Sequence, residues 1–451
     1  MSSPEVVDGK HPAQGTEHMG NEEKAAAKPA TPAPPNGGLQ AWMTVGAVWL
    51  AAFASLGLAQ SWGVFQEAFL SDPSAQQYHG LTSLRLGFLG GCSVGFAFIC
   101  GPFGNMLIGA MGVRKCIGLG FFLMVFSLMM ASIGRHFWNL LLSQGILFGI
   151  GASITYIPAI GLPAQWFTTK RGIATGIAAT GSPFGAIAFA PAIRALTANQ
   201  GIPWATRIIG FIILACGVLS LALIQTPSHA GQQKKHVTAY NPFDFALLKD
   251  LNFNLYLLFF LLGAVGYTLP LFVIPAFCES IGISRANAAG VISVLSALNV
   301  VSRVLTGFLG DKFGYINLIC TFQFLQGLVC VVCWIFADSL ATMMGFAVLF
   351  GFFAGAYWSL AVPVCMRIVG LHKLGSALAI QFLMAVLPPI FILPIADAIR
   401  TDTIRSLDLA DGQNRRSWIY VIVFSGLCSM LASLLLVPVR LRIQRSLLKA
   451  T

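Results

Sequence analysis

From Trp42 onward the chain alternates long apolar runs with short polar breaks, and the runs carry almost no charge on any face. A soluble helix keeps a polar stripe, whereas a membrane helix needs about 20 apolar residues to cross about 30 Å of hydrocarbon. Twelve runs meet that length: 42–69, 86–109, 113–133, 137–160, 172–194, 205–225, 252–278, 286–309, 316–336, 341–365, 374–397 and 417–438. The pattern predicts an all-α integral membrane protein with twelve transmembrane helices. Breaks are short except at 70–85 and 398–416, which read as polar loops, and at 226–251, the longest, which divides the chain into six helices plus six. Expected units are a disordered cytoplasmic tail (1–37), an N-terminal six-helix bundle (38–225), a linker loop (226–251), a C-terminal bundle (252–438) and a short cytoplasmic tail (439–451). No leader-like run precedes the first span, so helix 1 is expected to serve as an uncleaved anchor.

Composition sharpens this. The 451 residues are 56% hydrophobic and 10% charged, against about 45–50% apolar and about 25% charged in soluble domains. That excludes a soluble enzyme, and the dispersed Gly and Pro exclude a fibrous chain. Net charge is +11, but the basic residues sit between spans rather than on one face, so topology explains them and nucleic-acid binding is not expected. Every lysine, with Arg114, Arg171, Arg367, Arg440, Arg442 and Arg445, falls on the side of the termini. The other side carries only arginine. The positive-inside rule then puts both termini in the cytoplasm. Cys330 and Cys333 form a CxxC inside an apolar run with no second pair or His nearby, so packing is the expected role and no metal site is assigned. No cofactor is expected.

The halves carry a faint repeat. GPFGNMLIGAMGVRK follows span 2 and RVLTGFLGDKFGYIN follows span 8, and setting Gly112 against Gly314 aligns Gly109 with Asp311. Repeated halves around a central site are the architecture of secondary transporters. Gly-x-Leu-x-Asp-Lys-x-Gly at 307–314 resembles the loop signature of the major facilitator superfamily. Asn36-Gly-Gly-Leu-Gln-Ala-Trp42 resembles the start of helix 1 in its monocarboxylate porter family, and 166–181 (WFTTKRGIATGIAATG) is similar to that family's helix 5 signature. The resemblance covers 36–438, is strongest to the fungal branch, and implies the major facilitator fold: two pseudo-symmetric six-helix bundles. Four positions depart from it. Asn36 replaces the opening Asp, Gly109 an acid of the first-half loop, Gln60 a helix 1 lysine of proton-coupled members, and Asn299 an Asp. The helix 8 arginine is kept as Arg303.

Arg303 is the sharpest single residue, about seven residues, or roughly 10 Å, inside the end of span 8. An ionised arginine in a span costs at least about 2.5–3.5 kcal/mol and should face a wet cavity or a partner. One role is to hold an anionic group of a substrate through paired hydrogen bonds; the others are snorkelling and a structural pair with Asp311. Asn299, Tyr156, Gln144, Tyr267, Tyr357, Trp358 and Gln381 are polar or aromatic groups available to line a cavity, although such groups also glue helices together. Lys170 and Arg171 put positive charge at the positive end of helix 5. Positive-inside topology explains them, and so does a cytoplasmic latch in which Asp311 bridges to either. Gly172, Gly176, Gly181 and Gly185 are read as close helix packing. His79, His136 and His372 receive no role. Glu67 and Asp397 end spans 1 and 11, and no other carboxylate lies deep in a span.

The expected function is alternating-access transport of a small organic anion or secondary metabolite, export ahead of uptake, by a monomer in the lipid bilayer, with protons as a further candidate partner. The plasma membrane is the expected location and the vacuolar membrane the second. A nutrient sensor on the same scaffold is the non-transport alternative, and it lacks a long signalling segment. A membrane enzyme or ATP-driven pump would need a catalytic or Walker pattern that the sequence does not contain.

Overall fold

Apolar side chains cannot satisfy a backbone in hydrocarbon, so each span must make its own hydrogen bonds, and helices are the result. The computed structural model describes residues 37–71, 81–225, 244–371, 373–407 and 415–449; the N-terminal tail with Asn36, most of the central linker, His79 and His372 lie outside them. Twelve passes are present among the described residues, named here α1 to α12. In the first half they are α1 (Leu39–Leu70), α2 (Ser83–Ile99 continued by Gly101–Met111), α3 (Val113–Ile133), α4 (Phe137–Trp166), α5 (171–200) and α6 (202–223). In the second they are α7 (Leu251–Ser280), α8 (Arg285–Phe313), α9 (Tyr315–Trp334), α10 (Leu340–Val369), α11 (Leu374–Met384 continued by Leu387–Ser406) and α12 (Ile419–Lys449). No strand occurs among these residues, and the chain is a multi-pass membrane protein.

Glycines punctuate the helices where the chain must turn sharply. Gly201 (φ 76°) separates α5 from α6. Gly112 (φ 84°) ends α2 and Gly314 (φ 88°) ends α8, so the two residues aligned by the internal repeat share a backbone conformation that costs a residue with a side chain much more. Helices α1, α4 and α9 each contain a π-helical stretch, at Phe53–Gly57, Leu141–Leu147 and Cys330–Trp334. Helix also occurs outside the twelve expected spans. The linker closes with a short helix, Phe245–Lys249, started by the Asp244 side chain accepting from the Ala246 N–H. The last helix also continues beyond 438, through Lys449. Leu, Arg and Gln are good helix formers, and no Gly or Pro follows Pro438 before Lys449 to stop propagation.

Helices within each half meet through small residues. A side-chain carbon on Gly149 of α4 would sit 2.5 Å from Phe96 Cβ of α2, and one on Gly185 of α5 would sit 2.7 Å from the Gly57 Cα of α1. In the second half Gly327 of α9 meets the Gly426 carbonyl of α12 in the same way. Hydroxyl groups add ties, such as Ser220 Oγ to the Ala47 carbonyl at 3.0 Å. Large apolar side chains such as Phe122, Val218 and Phe336 point outward, where lipid replaces the missing core.

This packing leaves no room for a branched side chain at those glycines. Gly149→Val forces overlap with Phe96, so a loss of about 1–3 kcal/mol is expected. A thermal-unfolding scan of the detergent-solubilised protein should show a lowered transition; an unchanged midpoint would contradict the packing.

Candidate functional site

The two halves meet along two seams. In one, α2 packs on α11, with Gly95 against Ile390 and Val386. In the other, α5 packs on α8 backbone to backbone at three glycines. A side-chain carbon on Gly172 would collide with the Gly307 carbonyl, and one on Gly176 would sit 2.5 Å from the Arg303 carbonyl.

Asp311 lies at the terminus-side end of the α5–α8 seam. Its carboxylate accepts from the Gly172 N–H at 2.8 Å, the Ile173 N–H at 3.1 Å and the Tyr315 hydroxyl at 2.6 Å. A latch from Asp311 to the side chain of Lys170 or Arg171, one of the two readings open from sequence, is not the contact made here. Lys170 is exposed, and Arg171 Nε donates to the carbonyls of Ala164 and Phe167. The first turn of α5 has N–H groups without helical acceptors and a partial positive charge, so a carboxylate is satisfied there without any basic side chain. The symmetry-related seam lacks this device. Gly109 is exposed with nothing near it, while Lys373 at the start of α11 pairs with Asp244 of the linker at 3.0 Å.

Deeper in the same seam, Arg303 is 3% exposed. Its Nε donates to Asn299 Oδ1 at 2.8 Å, and its Nη1 donates to the Ala179 carbonyl of α5, across the boundary between halves. No carboxylate of the described residues lies within ion-pair distance of it. The snorkelling alternative does not hold, because the guanidinium is buried between helices. The pair with Asp311 does not form either, because that carboxylate is taken by the start of α5. The Asn299 Nδ2 group is buried and makes no hydrogen bond. Tyr156, buried on α4, lies within electrostatic range of Arg303.

Rings from both halves meet on the α2–α11 side. Phe98 of α2 stacks on Trp358 of α10 at 5.9 Å and on Phe382 of α11 at 5.6 Å; Tyr156 meets Phe382 edge-on at 6.0 Å. Trp358 also meets Tyr267 and Tyr357 edge-on, at 6.0 and 5.2 Å. These rings come from five helices of both halves, and offset or edge-on pairs of this kind are favourable.

Of the residues singled out from sequence, the structure gathers Tyr267, Tyr357, Trp358 and Tyr156 into the cluster and pairs Asn299 with Arg303. Gln381 is drawn elsewhere, accepting from the Tyr256 hydroxyl at 2.9 Å between α7 and α11. Gln144 borders a small cavity within the first half, with Trp62, Phe65, Ser93 and Phe148. Gln60 donates to Ser182 of α5 at 2.9 Å, and Glu67 pairs with Arg194 at 3.2 Å, both exposed. Phe98, Phe382 and the Ala179 carbonyl were missed: a phenylalanine in an apolar run carries no mark, and a backbone carbonyl carries none in any sequence.

Comparison with known proteins agrees with this fold. Residues 41–392 match the Major Facilitator Superfamily, and the chain belongs to it. It is 33% identical over 371 residues to MFS transporter asaE of Aspergillus flavus, covering 81% of each chain. It is 29% identical to the fujikurins efflux protein of Gibberella fujikuroi, covering 94% of this chain and 88% of that one. It is 31% identical to the aspyridones efflux protein apdF of Emericella nidulans, over 71% and 63%. Among solved structures, the proton:xylose symporter XylE superposes with a TM-score of 0.67 at 15% identity, covering 87% of this chain and 94% of that one. The fold is therefore the major facilitator fold, and the chain is a transporter of that superfamily.

The carboxylate at the head of α5 makes a specific prediction. Asp311→Asn keeps the shape but removes the charge that the helix end attracts, so the seam should open more often. A cysteine placed at Thr175, which is 1% exposed, should then be labelled several-fold faster from the terminus side; equal labelling would leave Asp311 without a holding role.

Proposed function

We propose that this protein is a secondary-active exporter of an organic anion, of monocarboxylate-like or secondary-metabolite type, working by rocking of residues 38–225 against 252–438 around Arg303. The observation that carries the reading is a buried guanidinium at the boundary between the halves with only neutral acceptors around it. A charge so placed is costly unless a partner completes it, and an anionic group of the cargo supplies that partner through charge-assisted hydrogen bonds. Asn299 orients the guanidinium through its Oδ1 and offers its free amide as a second donor. The rings of Tyr156, Tyr267, Tyr357 and Trp358 supply an apolar, stackable wall for the carbon skeleton. The kept Arg303 supports the resemblance to the monocarboxylate porter family, while Gln60 and Asn299 in place of a lysine and an aspartate argue against its proton-coupled uptake branch. Export is further supported by relatives whose names describe efflux of fujikurins and aspyridones.

In this reading Gln144, at its cavity in the first half, and Gln381, bonded to Tyr256, support the helices around the site rather than contact the anion, and Asp311 with the start of α5, next to Lys170 and Arg171, forms the gate on the terminus side. The distribution of lysine puts that side in the cytoplasm, and the plasma membrane is the location proposed. The protein works as a monomer in the bilayer.

Uptake and efflux of a panel of labelled organic acids and neutral metabolites, in vesicles with wild type or Arg303→Ala and with or without a pH gradient, tests this. Saturable efflux of an acid that falls at least about tenfold with the substitution, the scale of one lost charge-assisted contact, is the expected result. Transport that ignores the substitution would remove Arg303 from the site and favour a neutral cargo.

A further inference from the structure

An α-helical carbonyl accepts from the N–H four residues on. For Ala179 that residue is Pro183, which has no N–H. The helix is interrupted there: a first segment, Arg171–Ala179, ends at Ala179, Thr180 serves as a turn, and helix resumes at Gly181. The neighbouring polar groups are committed elsewhere. The Thr180 N–H goes to the carbonyls of Gly176 and Ile177, its hydroxyl accepts from Trp49 Nε1 at 3.0 Å, and the Ser182 hydroxyl accepts from Gln60. The Ala179 carbonyl is thus left facing the other half of the molecule, where the Arg303 guanidinium donates to it. That contact exists only because the backbones touch at Gly172, Gly176 and Gly307, and it must break whenever α5 and α8 separate.

We propose that Pro183 is a positioning residue for Arg303: by withholding the helical donor from Ala179 it provides the acceptor that holds the guanidinium, and with it the α5–α8 seam, in the closed and unloaded protein. The proposal rests on the reading of Arg303 as the anion anchor for its meaning in transport, but not for its test. The Ala179 carbonyl and the anionic group of a cargo claim the same guanidinium. When the halves part on the terminus side, Arg303 keeps Asn299 and turns its remaining donors to the cargo. When they close, the carbonyl returns as an internal acceptor and competes with the cargo. A ligand can shift a two-state equilibrium only through different affinities for the two states, and this contact supplies a difference of the sign that release on the far side requires. Asp311 closes the mouth of the seam independently, so the seam has an outer tie made by a helix start and an inner tie made by a helix break.

Hydrogen–deuterium exchange of the full-length, ligand-free protein in lipid nanodiscs reads the seam directly, because the Gly172 and Ile173 amides are protected by Asp311 only while it is closed. Pro183→Ala, with Pro183→Gly as the second variant should the first fail to fold, gives Ala179 its helical donor back. Exchange at 172–173 should rise several-fold. In an Arg303→Met background the same substitution should add nothing, since the partner is already gone. Unchanged exchange in the Pro183 variants would overturn the proposal. So would an equal rise in both backgrounds, which would mean that straightening α5 acts without Arg303. Neither result depends on a cargo, so failure here is distinct from Arg303 being dispensable for transport.

Discussion

Two helix backbones, α5 and α8, meet without side chains between them at Gly172, Gly176 and Gly307, and the central chemistry depends on that approach. It brings the start of α5 within reach of Asp311 and the Ala179 carbonyl within reach of Arg303. In lipid there is no hydrophobic drive between helices, so contact is set by how closely backbones pack and which polar groups find partners. A single methyl at any of these glycines would push apart both polar contacts together. The seam is therefore a unit, and its small residues belong to the site as fully as the arginine does.

The opposite seam is built differently. Between α2 and α11 the fit is between a glycine and aliphatic side chains, Gly95 against Ile390 and Val386, and the position that matches Asp311 is Gly109. The start of α11 is tied instead to the linker, through Lys373 and Asp244. The molecule is symmetric in fold but not in the strength of its ties. Parting the α5–α8 seam costs charge-assisted hydrogen bonds, while parting the α2–α11 seam costs mainly van der Waals contact, which is individually weak. The aromatic cluster of Phe98, Trp358 and Phe382 bridges the halves on the weaker side and adds interlocking surface where hydrogen bonds are missing.

Much of this was legible in the sequence for simple reasons. Span count follows from the length of apolar runs, which hydrocarbon thickness fixes, and the repeat aligned Gly112 with Gly314, which the structure shows to share a positive φ that glycine adopts readily. Arg303 stood out because a lone charge in a span is rare. The partners of Asp311 were less legible, because two of the three are backbone amides at a helix start, which composition does not show. Gln144 and Gln381 look like Asn299 in a sequence; only packing shows that one borders a cavity within the first half, another bonds Tyr256, and the third bonds Arg303. The helical extension past Pro438 was hidden because polarity rises there while helix propensity does not fall.

The π-helical stretches have a consequence for how the chain tolerates change. Each holds an extra residue in a turn, so it keeps the rotational phase of everything that follows on the same helix. Removing one residue from Phe53–Gly57 would let α1 revert to a regular helix while its remaining length keeps its phase, since the wide turn already absorbs the extra residue. Gln60 would still face Ser182, and Glu67 would still face Arg194. A deletion one or two turns away, in regular helix, would instead turn every later side chain by about 100°.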